Sequence, residues 1–454
     1  MQSKLTFYGA AGSVTGSHFL LDTGAEKLLV DCGLRQGMGE EHNWGPLPYD
    51  PSTISKLFVT HAHLDHIGLI PKLAAAGFDG EIISTKATKA LAEPMLYDAM
   101  EILRHNAHRL GKTELYGEAD IKKALAQWRG VGYHDKIVLD GGVVAELYDA
   151  GHILGSAMVC FARGGKAIAF TGDLGGGNSP LLSPTEELPP VQYLVMEGTY
   201  GDRTRPDDES RRERLEDIIE DSAKRGGTLV IPAFSTERTQ DLLFDIRTLM
   251  NENRVPLLPV YLDSPLAEKI TDAYVRHPEY FAPEIRARVE AGEKIFTFPQ
   301  LTYVGTPEES HKLDSLGEQK IILAGSGMSS GGRVFGHEKK YLPDQNSTLL
   351  IVGYQAVGTI GRQLIEGVKA IVVRGSGEKI PVRARIETLY GYSAHSDGEG
   401  LLEFANKATA KGCKEIFVVH GEPASAAFLA QRIRDYLGTK ATTPEAGDSA
   451  TIEF

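Results

Sequence analysis

Residues 57–66 read Leu-Phe-Val-Thr-His-Ala-His-Leu-Asp-His: a short apolar strand that runs straight into three histidines and an aspartate within six positions. The chain holds 14 histidines in 454 residues, so this density marks a site and not a surface accident. Side chains at i and i+2 of an extended segment point the same way, so His61 and His63 are placed to grip one cation. Asp65 and His66, on the turn that follows, are placed to face a neighbouring one. Imidazole and carboxylate without thiolate suit zinc in an open, catalytic site better than in a closed structural one.

Three other segments place a chemistry-bearing residue beside glycine after a strand. They are His152 in Asp149-Ala150-Gly151-His152, Asp173 in Phe170-Thr171-Gly172-Asp173, and His420 in Val418-Val419-His420-Gly421. Each is weak alone, and together with the first motif they form a ligand set. Short strand patterns at 28–30, 56–59, 81–83, 167–170 and 193–196 alternate with helical patterns at 66–75, 86–110 and 118–128, which predicts sheet layers covered by helices. After a charged stretch at 202–209 the alternation becomes regular. Strands at 228–231, 258–262 and 320–324 and helices at 238–251 and 265–276 predict βαβ units of a parallel sheet. Strands at 382–388 and 415–419, a helix at 424–436 and a polar tail with an edge strand complete the pattern. Three units of chain are expected, 1–205, 206–369 and 370–454, consistent with about 150 residues per domain.

The order Asp31, His61-x-His63-x-Asp65-His66, His152, Asp173 resembles the metallo-β-lactamase superfamily. The resemblance implies an α/β fold, an αββα sandwich with two metals at the sheet edge. It further implies one zinc on His61, His63 and His152 and a second on Asp65, His66 and His420, with Asp173 bridging and Asp31 orienting the ligand loop. The long insertion has its own signatures: Glu197-Gly198-Thr199-Tyr200-Gly201-Asp202-Arg203, Pro232 to Gln240, Asp263-Ser264-Pro265-Leu266-Ala267 and Gly325 to Arg333. These resemble the β-CASP branch, metal-dependent nucleases that include the cleavage subunit of pre-mRNA 3′-end processing and RNase J. The inserted β-CASP domain is expected to be α/β with a mainly parallel sheet, between the two parts of the metallo-β-lactamase domain. Glu197, His395 and His420 match the branch's motifs A, B and C in order. Gly198 stands where many relatives have Ser, and Ser235-Thr236-Glu237 replaces a more apolar stretch.

The chemistry expected is hydrolysis of phosphodiester bonds in single-stranded RNA, endonucleolytic and with 5′-to-3′ exonuclease action in some relatives. A hydroxide shared by two cations is a nucleophile at neutral pH, and the cations neutralise charge on the phosphate oxygens. Asp65, Glu197 and His395 are the candidate catalytic residues, with His395 as proton donor to the leaving oxygen and Glu197 fixing its tautomer. The small residues of the 325–333 loop, Ser326, Gly327 and Ser329 among them, let backbone N–H groups approach a phosphate. With Arg238, Arg333 and Arg362 they would line a phosphate-binding cleft, and Ser264 is a further candidate. Two alternatives remain: a hydrolase of the same fold acting on DNA or a small ester, and a non-catalytic RNA-processing scaffold. His420 matches the RNA branch at motif C, and every ligand position is filled.

The net charge of −13 argues against a polyanion bound by overall charge, and instead for cations and arginines converging locally. The 3 cysteines, Cys32, Cys160 and Cys413, are far apart and include no C-x-x-C pair, which fits a reducing, cytoplasmic setting. No apolar run approaches the about 18 residues a membrane span needs, so no membrane partner is expected. The resemblance also implies a homodimer.

Overall fold

The computed structural model describes residues 2–37, 39–204, 211–329, 331–353, 355, 358–373 and 377–454. Residues 205–209 of the charged stretch and Ser330 of the small-residue loop lie outside the described residues. The chain forms two compact units. The first comprises Met1–Gly177, Leu182–Thr204 and His395–Phe454; the second comprises Asn178–Leu181 and Arg205–Ala394.

The first unit is built on two seven-stranded sheets. In one, Ser449–Glu453, Gln2–Gly9, His18–Asp22 and Lys27–Val30 pair antiparallel, and Lys56–Phe58, Glu81–Thr85 and Trp128–Val131 continue in parallel. In the other, Lys440–Thr442, Glu415–Val419, Tyr193–Glu197 and Lys166–Phe170 run parallel, followed by the antiparallel Ala157–Arg163, Val144–Asp149 and Ile137–Val138. One core joins the facing sheets: Leu5, Phe7, Phe19, Leu28, Val30 and Phe58 from the first, Leu147, Val159, Phe161, Phe170, Val195 and Phe417 from the second. Phe58 meets Phe161 edge-on, with ring centroids 4.9 Å apart. The second sheet buries its other face under Gly398–Ala410 and Pro423–Arg432, through Met196, Ile416, Val418, Leu401, Ala405 and Leu429. Helices Ile70–Ala75, Lys86–Leu110 and Glu118–Ala126 accompany the first sheet. The result is the αββα layering.

The second unit holds a six-stranded, wholly parallel sheet in the order Leu301–Tyr303, Val260–Asp263, Ile321–Ala324, Leu229–Pro232, Thr348–Ile351, Arg385–Thr388. The inner strands Ile321–Ala324, Leu229–Pro232 and Thr348–Ile351 are short runs buried on both faces, as parallel strands between helices require. Helices Arg238–Asn251 and Pro265–Arg276 follow their strands as the βαβ pattern predicts.

Several elements differ from the sequence reading. The helix expected over 66–75 is two helices, Leu64–Ile67 and Ile70–Ala75, because Pro71 starts a new one after the break at Gly68 and Leu69. Trp128 opens a strand instead of ending a helix. The strand expected over 382–388 begins only at Arg385, since Val382 N–H bonds to Lys369 and those of Arg383 and Ala384 both turn to the Leu342 carbonyl. Arg385–Thr388 pairs with Thr348–Ile351, so the second unit runs to Ala394, where the sequence reading placed the return to the first at 370. Among the described residues no helix is long and apolar enough to cross a membrane. All three cysteines are free and buried.

Candidate metal centre

The motif His61 to His66 leaves the strand Lys56–Phe58 and is clamped by the loop 31–34. Leu34, Cys32 and Ser17 donate backbone hydrogen bonds to the carbonyls of Leu64, His66 and Asp65 at 2.8 Å each. The loop can lie this close only because residue 33 is glycine: a Cβ there would stand 1.6 Å from the Asp65 carbonyl oxygen. Asp31, at φ 60, turns its buried carboxylate inward. Its Oδ1 accepts from Thr60 N–H at 2.8 Å, and its Oδ2 from Thr60 Oγ1 at 2.9 Å and from His66 Nδ1 at 2.7 Å. Asp173 follows the strand Lys166–Phe170 through Gly172, where a Cβ would stand 2.6 Å from the Thr60 side chain.

The nine candidates fall into three groups of possible ligand atoms, each within 4.8 Å, of which the first and third share Asp173: His61, His63, His152 and Asp173; Asp65, His66 and His420; Asp173, Glu197 and His395. Asp173 divides its carboxylate between them. Oδ2 lies 3.3 Å from His61 Nε2 and 3.6 Å from His152 Nε2, whereas Oδ1 lies 3.3 Å from His66 Nε2 and 3.5 Å from His420 Nε2. His420 Nε2 is also 3.7 Å from Asp65 Oδ2. One oxygen of Asp173 thus faces the His61 group and the other the His66 group.

The donor set fits cations. His66 Nε2 and Asp173 Oδ1, both buried, have no hydrogen-bond partner although they face one another. Three imidazole nitrogens, His61 Nε2, His63 Nδ1 and His152 Nε2, converge, with His63 Nδ1 3.1 and 3.2 Å from the other two. Burial, then the charge of His66, lowers the His61 pKa to about 4, and burial, then His395, holds His152 well below its usual value. Both rings are therefore neutral, as a metal ligand must be. The acidic oxygens needed to balance a cation come from Asp173 and Asp65.

Beside this cluster stands a pair with a different geometry. Glu197, wholly buried at the end of Tyr193–Glu197, accepts from Leu174 N–H at 2.6 Å and faces His395 Nδ1 with both oxygens at 3.2 Å. Burial opposes protonation of His395, but the charge of Glu197, then that of Asp173, outweighs it and raises the pKa to about 9. His395 Nε2 points toward Asp173 Oδ2 at 3.9 Å. Nδ1 is thus committed to Glu197, and Nε2 is turned toward the cluster.

Sequence reasoning missed three contributors. Ser17 Oγ meets His420 Nδ1 at 3.1 Å, Thr60 joins Asp31 to the motif, and Tyr200 packs edge-on against the His395 ring at 5.7 Å. Thr60 and Tyr200 stood inside quoted motifs, while Ser17 carried no signal.

The remaining candidates all belong to the second unit. Ser264 Oγ caps the helix Pro265–Arg276 by accepting from Ala267 N–H at 3.2 Å. Arg333 donates to Asp263 Oδ1 at 2.6 Å and to the carbonyls of Val304 and Gly305, both at 2.8 Å. Arg238 donates to the Tyr392 carbonyl at 3.1 Å, and Arg362 to Glu366 at 2.7 Å. Gly327 lies under Phe234, whose ring a Cβ would meet at 2.4 Å, and Ser326 is followed by Ser329, buried at φ 55. Ser264, the 325–329 loop and Arg333 gather at the C-terminal ends of the adjacent strands Val260–Asp263 and Ile321–Ala324.

Comparison with known proteins matches residues 12–233 to the metallo-beta-lactamase superfamily and 239–364 to the Beta-Casp domain. Residues 379–444 match the Zn-dependent metallo-hydrolase RNA specificity domain. The chain is 38% identical to Ribonuclease TTHA0252 of Thermus thermophilus over 92% of its own length and 93% of the relative's. It is 31% identical to transcription termination factor FttA of Methanosarcina mazei, over 95% of this chain and 68% of that one. A crystal structure of a protein of unknown function from Enterococcus faecalis shares the fold over the whole of both chains, with a TM-score of 0.57 at 13% identity. The ligand geometry, the parallel-sheet insertion and these likenesses converge: the chain belongs to the β-CASP family of metal-dependent hydrolases, within the metallo-β-lactamase superfamily.

Proposed function

We propose that the protein is a zinc-dependent ribonuclease that cuts single-stranded RNA internally, leaving a 3′-hydroxyl and a 5′-phosphate. The observation that carries the reading is the pairing of a divided Asp173 carboxylate with His395, whose Nδ1 is held by Glu197. The name and 93% coverage of the Thermus thermophilus ribonuclease support RNA as the substrate.

One zinc ion is assigned to His61, His63 and His152, a second to Asp65, His66 and His420, with Asp173 shared. Bound cations at such a site neutralise the phosphate oxygens and lower the pKa of water. The chain's own residues do the rest. Asp31 and Thr60 hold the His66 ring, and Ser17 holds that of His420. As hydroxide adds to phosphorus and the bond to the leaving O3′ breaks, that oxygen takes the proton from His395 Nε2. Glu197 keeps Nδ1–H oriented and stabilises the ring in its charged form. In the second unit, Arg238 and the backbone of Ser326, Gly327 and Ser329 are assigned to the RNA strand.

The experiment is incubation of purified, zinc-loaded protein with end-labelled single-stranded RNA and DNA, products being resolved by size. Internal RNA fragments are expected. Mononucleotides alone would replace the endonuclease with an exonuclease, cutting of DNA alone would change the substrate, and no product would leave a scaffold.

A further inference from the structure

The His395 imidazole is held at one nitrogen by Glu197 and flanked by other rings. Both Glu197 oxygens stand 3.2 Å from Nδ1. The His152 ring lies tilted with centroids 4.6 Å apart, the His420 ring stacked at 6.5 Å and the Tyr200 ring edge-on at 5.7 Å. These residues all belong to the first unit. His152 and His420 are candidate ion ligands, so the directions of their rings are set by that duty. Tyr200 has no place in any of the ligand groups.

A hydrogen bond to Nδ1 fixes that atom but leaves Nε2, across the ring, room to swing, because the second side-chain torsion of histidine is broad. Nε2 is the atom assigned to the leaving oxygen, and a displacement of about 1 Å at a reacting group can cost about 10²-fold in rate. A flat ring against the imidazole limits that swing. Tyr200, in turn, owes its place to its backbone. Gly201 N–H donates to the Gly198 carbonyl at 3.2 Å, and Arg203 N–H to the Tyr200 carbonyl at 3.1 Å. Gly201 lies flush on the helix Pro423–Arg432, where a Cβ would stand 2.7 Å from the Ser425 carbonyl oxygen, and Ser425 Oγ donates to the Gly198 carbonyl at 2.8 Å. Gly398 N–H, at the start of the helix that follows His395, donates to the Arg203 carbonyl at 2.8 Å. The same turn steadies His420, whose carbonyl accepts from Gly198 N–H at 3.3 Å and from Thr199 Oγ1 at 2.9 Å. With the turn pinned at both ends and the Tyr200 side chain only half-buried, removing the ring takes away its contact with His395 and leaves the backbone in place.

We infer that Tyr200 is a positioning residue for the proton donor: its ring, set edge-on against His395, limits the swing of the imidazole about the Glu197 hydrogen bond. The inference rests on the proton-donor reading above. It separates position from folding, because a displaced donor harms only substrates whose leaving group needs a proton.

The test compares Tyr200→Phe, which keeps the ring, with Tyr200→Leu, which keeps apolar bulk and loses the flat edge. Each zinc-loaded variant is assayed on single-stranded RNA and on bis(4-nitrophenyl) phosphate, whose nitrophenolate leaves without protonation. For Tyr200→Leu the expected result is a fall in kcat on RNA of about tenfold, with KM, zinc content, melting temperature and the nitrophenyl ester rate unchanged. Tyr200→Phe is expected to restore the wild-type kcat. An unchanged kcat on RNA in the leucine variant, equal losses on both substrates, a rise in KM alone, or a phenylalanine variant as slow as the leucine one overturns the positioning role. Wild-type protein that hydrolyses the ester but not RNA overturns the ribonuclease reading, and the positioning role with it.

Discussion

Asp31 Oδ2 accepts a 2.7 Å hydrogen bond from His66 Nδ1, which turns the ring so that Nε2 faces Asp173 Oδ1. Burial opposes a charge on His66, yet Asp173 and then Asp31 hold its pKa well above the usual value, so a proton sits where a cation would satisfy the same two carboxylates. Replacing Asp31 with Asn is therefore expected to leave the fold intact and weaken metal binding by about 10- to 100-fold. Zinc titration followed by dialysis and elemental analysis measures it.

Asp173 and His395 are expected to part company under mutation. Asp173→Ala removes an oxygen from both ion sites, so zinc content and RNA cleavage fall together. His395→Ala keeps the metal and lowers kcat on RNA by about 10²- to 10⁴-fold. Normal cleavage by the His395 variant would remove it from the mechanism.

In the second unit, His337 is sandwiched between Asp263 Oδ2 at 2.6 Å and Asp314 Oδ1 at 3.0 Å, with Ser310 and Arg333 also bonded to Asp263. Burial lowers its pKa, but the two carboxylates prevail and bring it to about 9. The folded value is above the unfolded 6.5, so the stabilisation is fully present below that pH and disappears as pH rises through about 9. The shift corresponds to about 3 kcal/mol. Urea unfolding on either side of this window is expected to show the loss in wild type, and His337→Asn to flatten it.

The edge-on pair Phe58 and Phe161 spans the two sheets of the first unit, both rings fully buried. Phe161→Ala is expected to destabilise that unit by about 3–5 kcal/mol, through the lost transfer term and the cavity left behind. Thermal unfolding with a probe confined to the first unit reads this out.

The legible part of the site was the part written in adjacent residues. His61 to His66 announces itself because one strand end and one turn supply four ligands, and the later histidines and Asp173 follow strands beside glycine. Ser17 was invisible: its contact with His420 joins residues 403 positions apart, and a serine before a strand has no local signature. Helices Lys86–Leu110, Arg238–Asn251 and Pro265–Arg276 were readable to the residue from their apolar period, and Thr85 and Ser264 cap the first and the last of them. The 382–388 segment was not, because the Leu342 carbonyl, a tertiary partner, diverts the hydrogen bonds that would have extended the strand. Ser264 and Arg333 were singled out for substrate chemistry by their motifs; a helix cap and an ion pair to Asp263 also occupy them. Composition cannot distinguish such duties.

His61 and His420 lie on opposite sides, in sequence, of an entire second unit, and the strand Ser449–Glu453 closes the sheet begun by Gln2–Gly9. During synthesis, a nascent chain halted before residue 395 carries His61, His63, Asp65, His66, His152 and Asp173 but neither His395 nor His420. The candidate ligands therefore cannot come together until the whole of the second unit and the strand Glu415–Val419 have been made.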